Sequence, residues 1–150
     1  NLIRAGQMLA VYQLAGSISR PIWGWIADRY LTPMQTLGVH GIGMTVAAAL
    51  AAQFSPGWAA GGVLVVVLLA GCSAGGYTGV AYAEYAALGG TRRTEATGLG
   101  TALMFSGGLL LPPLFGISVT FLGGYLVAYR AFAALALGSA ILMWWPPVPR

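Results

Sequence analysis

Charge is the scarcest commodity in this sequence. Its 150 residues include no lysine, seven arginines and three acids, so that 7% are charged, against roughly 25% in a soluble globular domain. With 58% of residues hydrophobic, such a chain is solvated by lipid and not by water. The formal charge of +4 reflects a shortage of acids. The arginines stand singly or in the one pair Arg92-Arg93, which excludes the clustered basic face of a nucleic-acid binder. Cys72 is the only cysteine, and a single thiol builds neither a disulfide framework nor a thiolate metal site within the chain. There is no metal-ligand cluster, no nucleophile elbow and no glycine-rich phosphate loop after a strand. The sequence therefore points away from an enzyme and calls for no cofactor or metal. An initiating methionine is missing too. Asn1 leads almost directly into an apolar segment, without the charged leader and small-residue cleavage site of a signal peptide, and the reading is a fragment of a longer polypeptide.

What is present is apolar sequence in long runs. A bilayer core of about 30 Å needs around 20 apolar residues in a helix, and five stretches reach that length, at about 3–27, 34–54, 58–83, 96–121 and 126–145. Turn chemistry separates them: Asp28 to Pro33, Ser55-Pro56-Gly57, Leu88-Gly89-Gly90-Thr91 and Leu122-Gly123-Gly124. The runs are too long for strands and lack the alternation of an outer-membrane barrel, which leaves helices as the spanning element. The expected fold is an all-α membrane protein of five transmembrane helices, with residues 1–150 as one bundle. Arg29, Arg92, Arg93 and Arg150 fall on one side, Arg4 and Arg130 on the other. By the positive-inside rule the loops at 28–33 and 88–95 and the C-terminus are cytoplasmic, in a multi-pass protein of the cell's inner (plasma) membrane. Gly71, Gly75 and Gly79 recur at intervals of four, placing them on one helix face where backbones approach closely.

The first stretch carries the most chemistry. Steps of three and four give Gly6, Ala10, Gln13, Ser17, Arg20, Gly24 and Asp28, a polar or small stripe along one side. Leu9, Leu14, Ile18, Ile22, Trp25 and Ile26 occupy the other. The polar stripe should face protein or water. Arg20 lies eight residues before Asp28, roughly 12 Å deeper at 1.5 Å per residue, too far for a direct contact. A guanidinium inside a membrane marks a pathway or a paired structural charge. Two readings stay open: an ion pair with helices outside this chain, or a counter-charge for an anionic substrate, whose carboxylate the planar fork of Arg matches. Gln13 and Ser17 join Arg20 as candidate substrate-binding residues.

The run Arg20-Pro21-Ile22-Trp23-Gly24-Trp25-Ile26-Ala27-Asp28-Arg29 resembles the signature with which transporters of the major facilitator superfamily close a helix and enter a short cytoplasmic loop. Gly24, Asp28 and Arg29 match it, whereas Tyr30-Leu31-Thr32-Pro33 replaces its later basic residues, a form similar to the repeat in the second half of those carriers. Arg20-Pro21 with Gly24 and Asp28 is similar to helix eight of the monocarboxylate transporters and of oxalate-formate type carriers. The resemblance implies that Arg20 binds the substrate carboxylate, and that the chain is the C-terminal half of the carrier from helix eight onward, part of a six-helix bundle. Where those carriers place an aspartate one turn before the arginine, this sequence has Gly16, a departure that weakens the transfer of the family's proton coupling. Ala83-Glu84, Arg92-Arg93, Pro112-Pro113 and Tyr129-Arg130-Ala131-Phe132 fit the later helices of that half.

Further residues follow from this placement. Asp28, Arg29, Glu84, Arg92 and Arg93 should converge at the cytoplasmic helix ends. They form either a gating salt-bridge network or charges that merely sit among headgroups and cap helices. Ser73, Tyr77 and Glu84 share a face, with Tyr77 either a donor to a substrate carboxylate or bonded to a neighbouring backbone group. His40 sits on a helix expected to be peripheral, where packing outweighs proton relay. Pro112 and Pro113 remove helical hydrogen bonds in mid-span, as a gating hinge or a fixed kink. Trp23, Trp25, Trp58, Trp144 and Trp145 suit an interfacial belt. The functional expectation is a secondary carrier moving small organic anions, monocarboxylates above all, by alternating access. Its partners would be the anionic substrate, the bilayer and the missing N-terminal half, without nucleic acid. An exporter of drugs or other hydrophobic compounds, and a non-transporting membrane interaction protein, are the alternatives.

Overall fold

The computed structural model describes residues 2–121 and 123–145, all of whose regular structure is helical. Asn1, Leu122 and Arg150, which entered the reading of the chain start, the last turn and the loop charges, lie outside the described residues. Helix α1 covers Leu2–Arg29, α2 Pro33–Ala51, α3 Ala60–Ala70, α4 Thr78–Gly89, α5 Arg93–Phe121 and α6 Tyr125–Trp144. A π-helical turn at Gly71–Gly75 joins α3 to α4, and a 3-10 turn at Gly90–Arg92 joins α4 to α5.

The helix boundaries follow from local chemistry. Pro33 opens α2, where its missing N–H costs nothing, and Thr32 caps it. The Thr32 hydroxyl accepts from the Gln35 amide at 3.2 Å while the Gln35 side chain accepts from the Thr32 amide at 3.0 Å, a reciprocal capping box. The expected loop at 88–91 is tighter than anticipated: α4 continues through Glu84 to Gly89, and Gly90, at a φ of 52°, turns the chain into α5 within three residues. Gly123 and Gly124, at φ of 90° and 111°, make the same kind of reversal before α6, in backbone conformations that side chains resist.

Three stretches are long and apolar enough to cross a membrane: Pro33–Ala51, Ala60–Phe121 and Tyr125–Trp144. The second, at 62 residues, does not run straight. Ala96 meets Gly89, and the Tyr85 ring packs on Gly100, so its two arms lie antiparallel. Helix α1 is long enough, about 42 Å for its 28 residues. Its arginines and polar stripe keep it out of that set, so the expected first span is a helix of mixed polarity.

Small residues set the packing. Gly41 of α2 lies against Ala140 of α6, so close that a Cβ on Gly41 would come within 2.8 Å of the alanine methyl. Among the described residues, the buried hydrophobic positions are mostly alanines, and the largest fully buried side chains are His40 and Thr36. Leu37, Val80 and Ala81 form a cluster of buried apolar residues, with Trp23, Ala27 and Tyr85 packed against it. In lipid, where apolar side chains gain little by leaving their solvent, close backbone approach and interhelical hydrogen bonds take over this role. Helix α5 buries only Gly100, and its leucines from Leu99 to Leu114 are exposed. His40's helix is not peripheral within this chain: α2 packs against α1, α3, α4 and α6.

Candidate functional site

The π-helical turn at Gly71–Gly75 is the point around which the candidate residues gather. A π-helical turn inserts one residue into an α-helix and disturbs the regular pairing of its carbonyls. Three of those carbonyls are taken by side chains from neighbouring helices. Trp23 Nε1 donates to the Cys72 carbonyl at 3.0 Å, with Ser19 Oγ adding a longer bond at 3.4 Å. His40 Nδ1 meets the Ser73 carbonyl at 2.8 Å, and Arg20 Nε donates to the Gly75 carbonyl at 3.1 Å. Helices α1 and α2 are thereby tied to the third segment of the chain at one level.

Glycine makes this approach feasible. A Cβ on Gly16 would lie 2.9 Å from the Gly75 Cα, and one on Gly71 would lie 2.8 Å from the Ala15 Cβ. Gly79, expected on the same face, meets nothing within 4 Å, whereas Gly76 faces Ser19 and Trp23. The inserted residue explains the exchange: it rotates everything after it by about 100° relative to an unbroken α-helix, carrying Gly79 off the contact face. The same contact accounts for Gly16 itself. Any side chain there collides with backbone, so position 16 is a packing position in this chain.

Arg20 is exposed, as are Gln13 and Ser17 on the same side of α1. The side of α1 that α3 and the π-helical turn cover is instead that of Tyr12, Ala15, Gly16, Ser19 and Trp23. The predicted polar stripe thus lies beside the contact and stays open. An arginine has five N–H donors in a rigid fork. The Gly75 carbonyl engages Nε, one of those five donors. Tyr77 is placed differently: it borders a cavity together with Tyr12, His40 and Tyr85, and Gln13, Ser17 and Arg20 do not line it. The structure therefore divides the four expected substrate residues into an outer set of three and an inner tyrosine.

The charged residues at the helix ends divide as well. Ala27 packs on the cluster of Val80 and Ala81, which brings the end of α1, with exposed Asp28 and Arg29, alongside α4, where Glu84 is buried. Arg92 pairs with Glu95, a residue outside the expected set, and both side chains are largely exposed. Arg93 Nε donates to the Gly90 carbonyl at 3.2 Å. These two arginines are engaged within the turn that carries them. Pro112 and Pro113 lie inside α5, which runs through both as a single helix.

Two residues assigned by sequence to other roles belong to this site. Trp23, besides its bond to Cys72, places its ring 4.4 Å from that of His40. His40 is 1% exposed. The signal for both was the run Gly71-Cys72-Ser73-Ala74-Gly75-Gly76, whose small side chains leave carbonyls open to neighbours, although nothing in its spacing announces a π-helical turn.

With the geometry established, comparison with known proteins gives one informative match. The chain is 27% identical over 144 residues to the human protein named Monocarboxylate transporter 11, an alignment covering 92% of this chain and 31% of that protein. It is a distant relative of that transporter and spans about a third of its length. No family model matches the chain, and no solved structure matches it.

Proposed function

We propose that this chain is part of a secondary active carrier of the major facilitator type that moves small organic anions, monocarboxylates above all, by alternating access. The observation that carries the reading is Arg20. It is a guanidinium oriented by the Gly75 carbonyl at 3.1 Å and exposed on α1, in a chain 27% identical to the human protein named Monocarboxylate transporter 11. A carboxylate approaching the two Nη groups end-on would form charge-assisted hydrogen bonds in the bidentate geometry that arginine favours. Gln13 and Ser17, exposed on the same side two turns and one turn earlier, would complete the contact.

In this reading α1, α2, the two antiparallel arms of 60–121 and α6 are five membrane spans. The loops near Arg29 and Arg92 then face the cytoplasm by the positive-inside rule. Asp28, Arg29, Glu84, Arg92 and Arg93 gather at that side as a gate, and Pro112 and Pro113 supply the bend. The open face of α1 and the exposed leucines of α5 are surfaces that the remainder of such a carrier would cover. Gly16 leaves the proton-coupling carboxylate of related carriers without a counterpart here.

A second reading also has an observation in its favour. The bond from Arg20 to a backbone carbonyl is what a purely structural arginine would make, as expected in an exporter of hydrophobic compounds. Uptake of radiolabelled lactate, pyruvate or oxalate into proteoliposomes of the full-length protein separates the two. Saturable uptake lost in Arg20→Ala supports the anion carrier. Uptake with unchanged affinity in that variant overturns the substrate role, and expulsion of lipophilic cations with no anion transport establishes the exporter.

A further inference from the structure

The hydrogen bond that His40 makes goes to the turn that holds Arg20. The Ser73 carbonyl, 2.8 Å from His40 Nδ1, can only accept, so Nδ1 carries the proton, while Nε2 is buried without a partner. The ring is 1% exposed and lies 4.4 Å from that of Trp23. The Trp23 indole N–H donates in turn to the adjacent Cys72 carbonyl at 3.0 Å. Two neighbouring rings, one from α1 and one from α2, thus deliver N–H donors to successive carbonyls of the π-helical turn at Gly71–Gly75.

In an unbroken α-helix each of those carbonyls would accept from the amide four residues on. A side-chain donor inserted into that ladder stabilises a local departure from it, and a π-helical turn is such a departure by one residue. The alternative is the regular register, and Gly79, which that register would bring to the α1 face, has no side chain to oppose it. Regularising the turn would rotate its end and everything after it by about 100°. The Gly75 carbonyl, now 3.1 Å from Arg20 Nε, would be carried away from it. Among the described residues Arg20 forms no ion pair, so this carbonyl is what holds its guanidinium.

We propose that His40, acting with Trp23 through the π-helical turn, is a positioning residue for Arg20. The two donors hold the turn in the register that presents the Gly75 carbonyl to the guanidinium, and neither ring touches the substrate. The consequence for transport rests on the reading of Arg20 as the carboxylate-binding group of an anion carrier. A guanidinium released from Gly75 keeps its charge but loses its set position, so carboxylate binding weakens while the conformational cycle proceeds as before. The single histidine of the chain serves here as a neutral, fixed donor and transfers no proton.

The test uses the full-length protein labelled with 15Nε-arginine in lipid nanodiscs, with the Arg20 resonance assigned as that lost in Arg20→Lys. His40→Leu keeps bulk and removes the donor, whereas His40→Asn places an N–H the same number of bonds from Cα as Nδ1. The Arg20 Nε–H should exchange with water about ten-fold faster in His40→Leu, the equivalent of 1.4 kcal/mol, and return close to the wild-type rate in His40→Asn. In proteoliposomes His40→Leu should raise the half-saturating pyruvate concentration by about ten-fold with little change in maximal uptake, and His40→Asn should reverse the rise. An unchanged Arg20 exchange rate in His40→Leu overturns the inference. So does an exchange rate that His40→Asn fails to restore, or a loss confined to maximal uptake. Where His40→Leu does not fold, Trp23→Phe removes the other donor, and an unchanged Arg20 exchange rate there is equally fatal. Wild-type protein that takes up no organic anion, with Arg20 exchange responding as expected, sinks the carrier reading and leaves the positioning of Arg20 standing.

Discussion

Gly16 and Gly75 meet backbone to backbone: a Cβ on either residue would lie 2.9 Å from the Cα of the other. That contact joins the helix that carries Arg20 to the segment whose carbonyl orients it. It also decides what position 16 can hold. Gly16→Asp should displace the helix, because the new side chain meets the Gly75 backbone. The expected outcome is a destabilised protein, by about 1–3 kcal/mol or more, read as a lower midpoint of thermal unfolding in detergent. A variant with wild-type stability would show that the contact is dispensable.

The π-helical turn makes a sharper comparison along one helix. Gly75→Ala drives a methyl into Gly16 and should lose stability on the order of 1–3 kcal/mol. Gly79→Ala enters open space and should be neutral or gain up to ~1 kcal/mol, the ordinary advantage of Ala over Gly in a helix. An unbroken α-helix would put both glycines on the same face and make the two substitutions alike. Parallel unfolding curves for the pair distinguish the two geometries.

Much of this fold can be read from residue order, because its punctuation is chemical. Thr32-Pro33 with Gln35 announces the start of α2, Gly89-Gly90 and Gly123-Gly124 announce reversals, and the apolar runs between them have helical length. The stripe of Gln13, Ser17 and Arg20 is legible from periodicity, and all three side chains are exposed. The π-helical turn is not legible in this way, since Gly71-Cys72-Ser73-Ala74-Gly75 is equally compatible with regular α-helix, and everything after it is rotated. Gly79 therefore leaves the face that its spacing gives it, and the bond from Trp23 to the Cys72 carbonyl joins segments too far apart in sequence for spacing to reveal. The pair of Arg92 with Glu95, three residues apart, is a local contact that the spacing permits.

Trp23→Phe keeps the ring beside His40 but removes the donor to the Cys72 carbonyl. The loss should be near the 0.5–1.5 kcal/mol net value of a hydrogen bond. It should not reach the several kcal/mol of an emptied core, because Phe retains most of the aromatic bulk. Thermal unfolding reads the change. A larger loss would mean that the Cys72 carbonyl is left buried and unsatisfied, with Ser19 at 3.4 Å unable to replace the indole.

The ion pair in the turn after α4 should contribute little. Arg92 and Glu95 are 76% and 64% exposed at their side chains, and exposed pairs typically contribute 0.2–1 kcal/mol. Glu95→Gln should therefore change the unfolding midpoint only slightly. Its use is diagnostic. If Arg92 belongs to a gate with Asp28 and Glu84, releasing it from Glu95 should alter uptake rate in proteoliposomes at constant stability, and an unchanged rate would remove Arg92 from that gate.

Pro112 and Pro113 present the last mechanical question. Neither nitrogen can donate to the carbonyls four residues earlier, those of Gly108 and Leu109, yet α5 runs as one helix from Arg93 to Phe121. The weakened turn lies next to Gly107 and Gly108, where small residues leave room for bending. A working hinge and a fixed kink differ in kinetics, not in resting structure. Replacing both prolines with alanine restores two backbone hydrogen bonds and stiffens the helix. In the proposed carrier a hinge then predicts slower maximal uptake at unchanged half-saturation, because the conformational step is impeded while the substrate contact at Arg20 is untouched. A fixed kink predicts that stiffening does not selectively slow turnover: either both parameters stay as they were, or both change together as the helix straightens and displaces its neighbours.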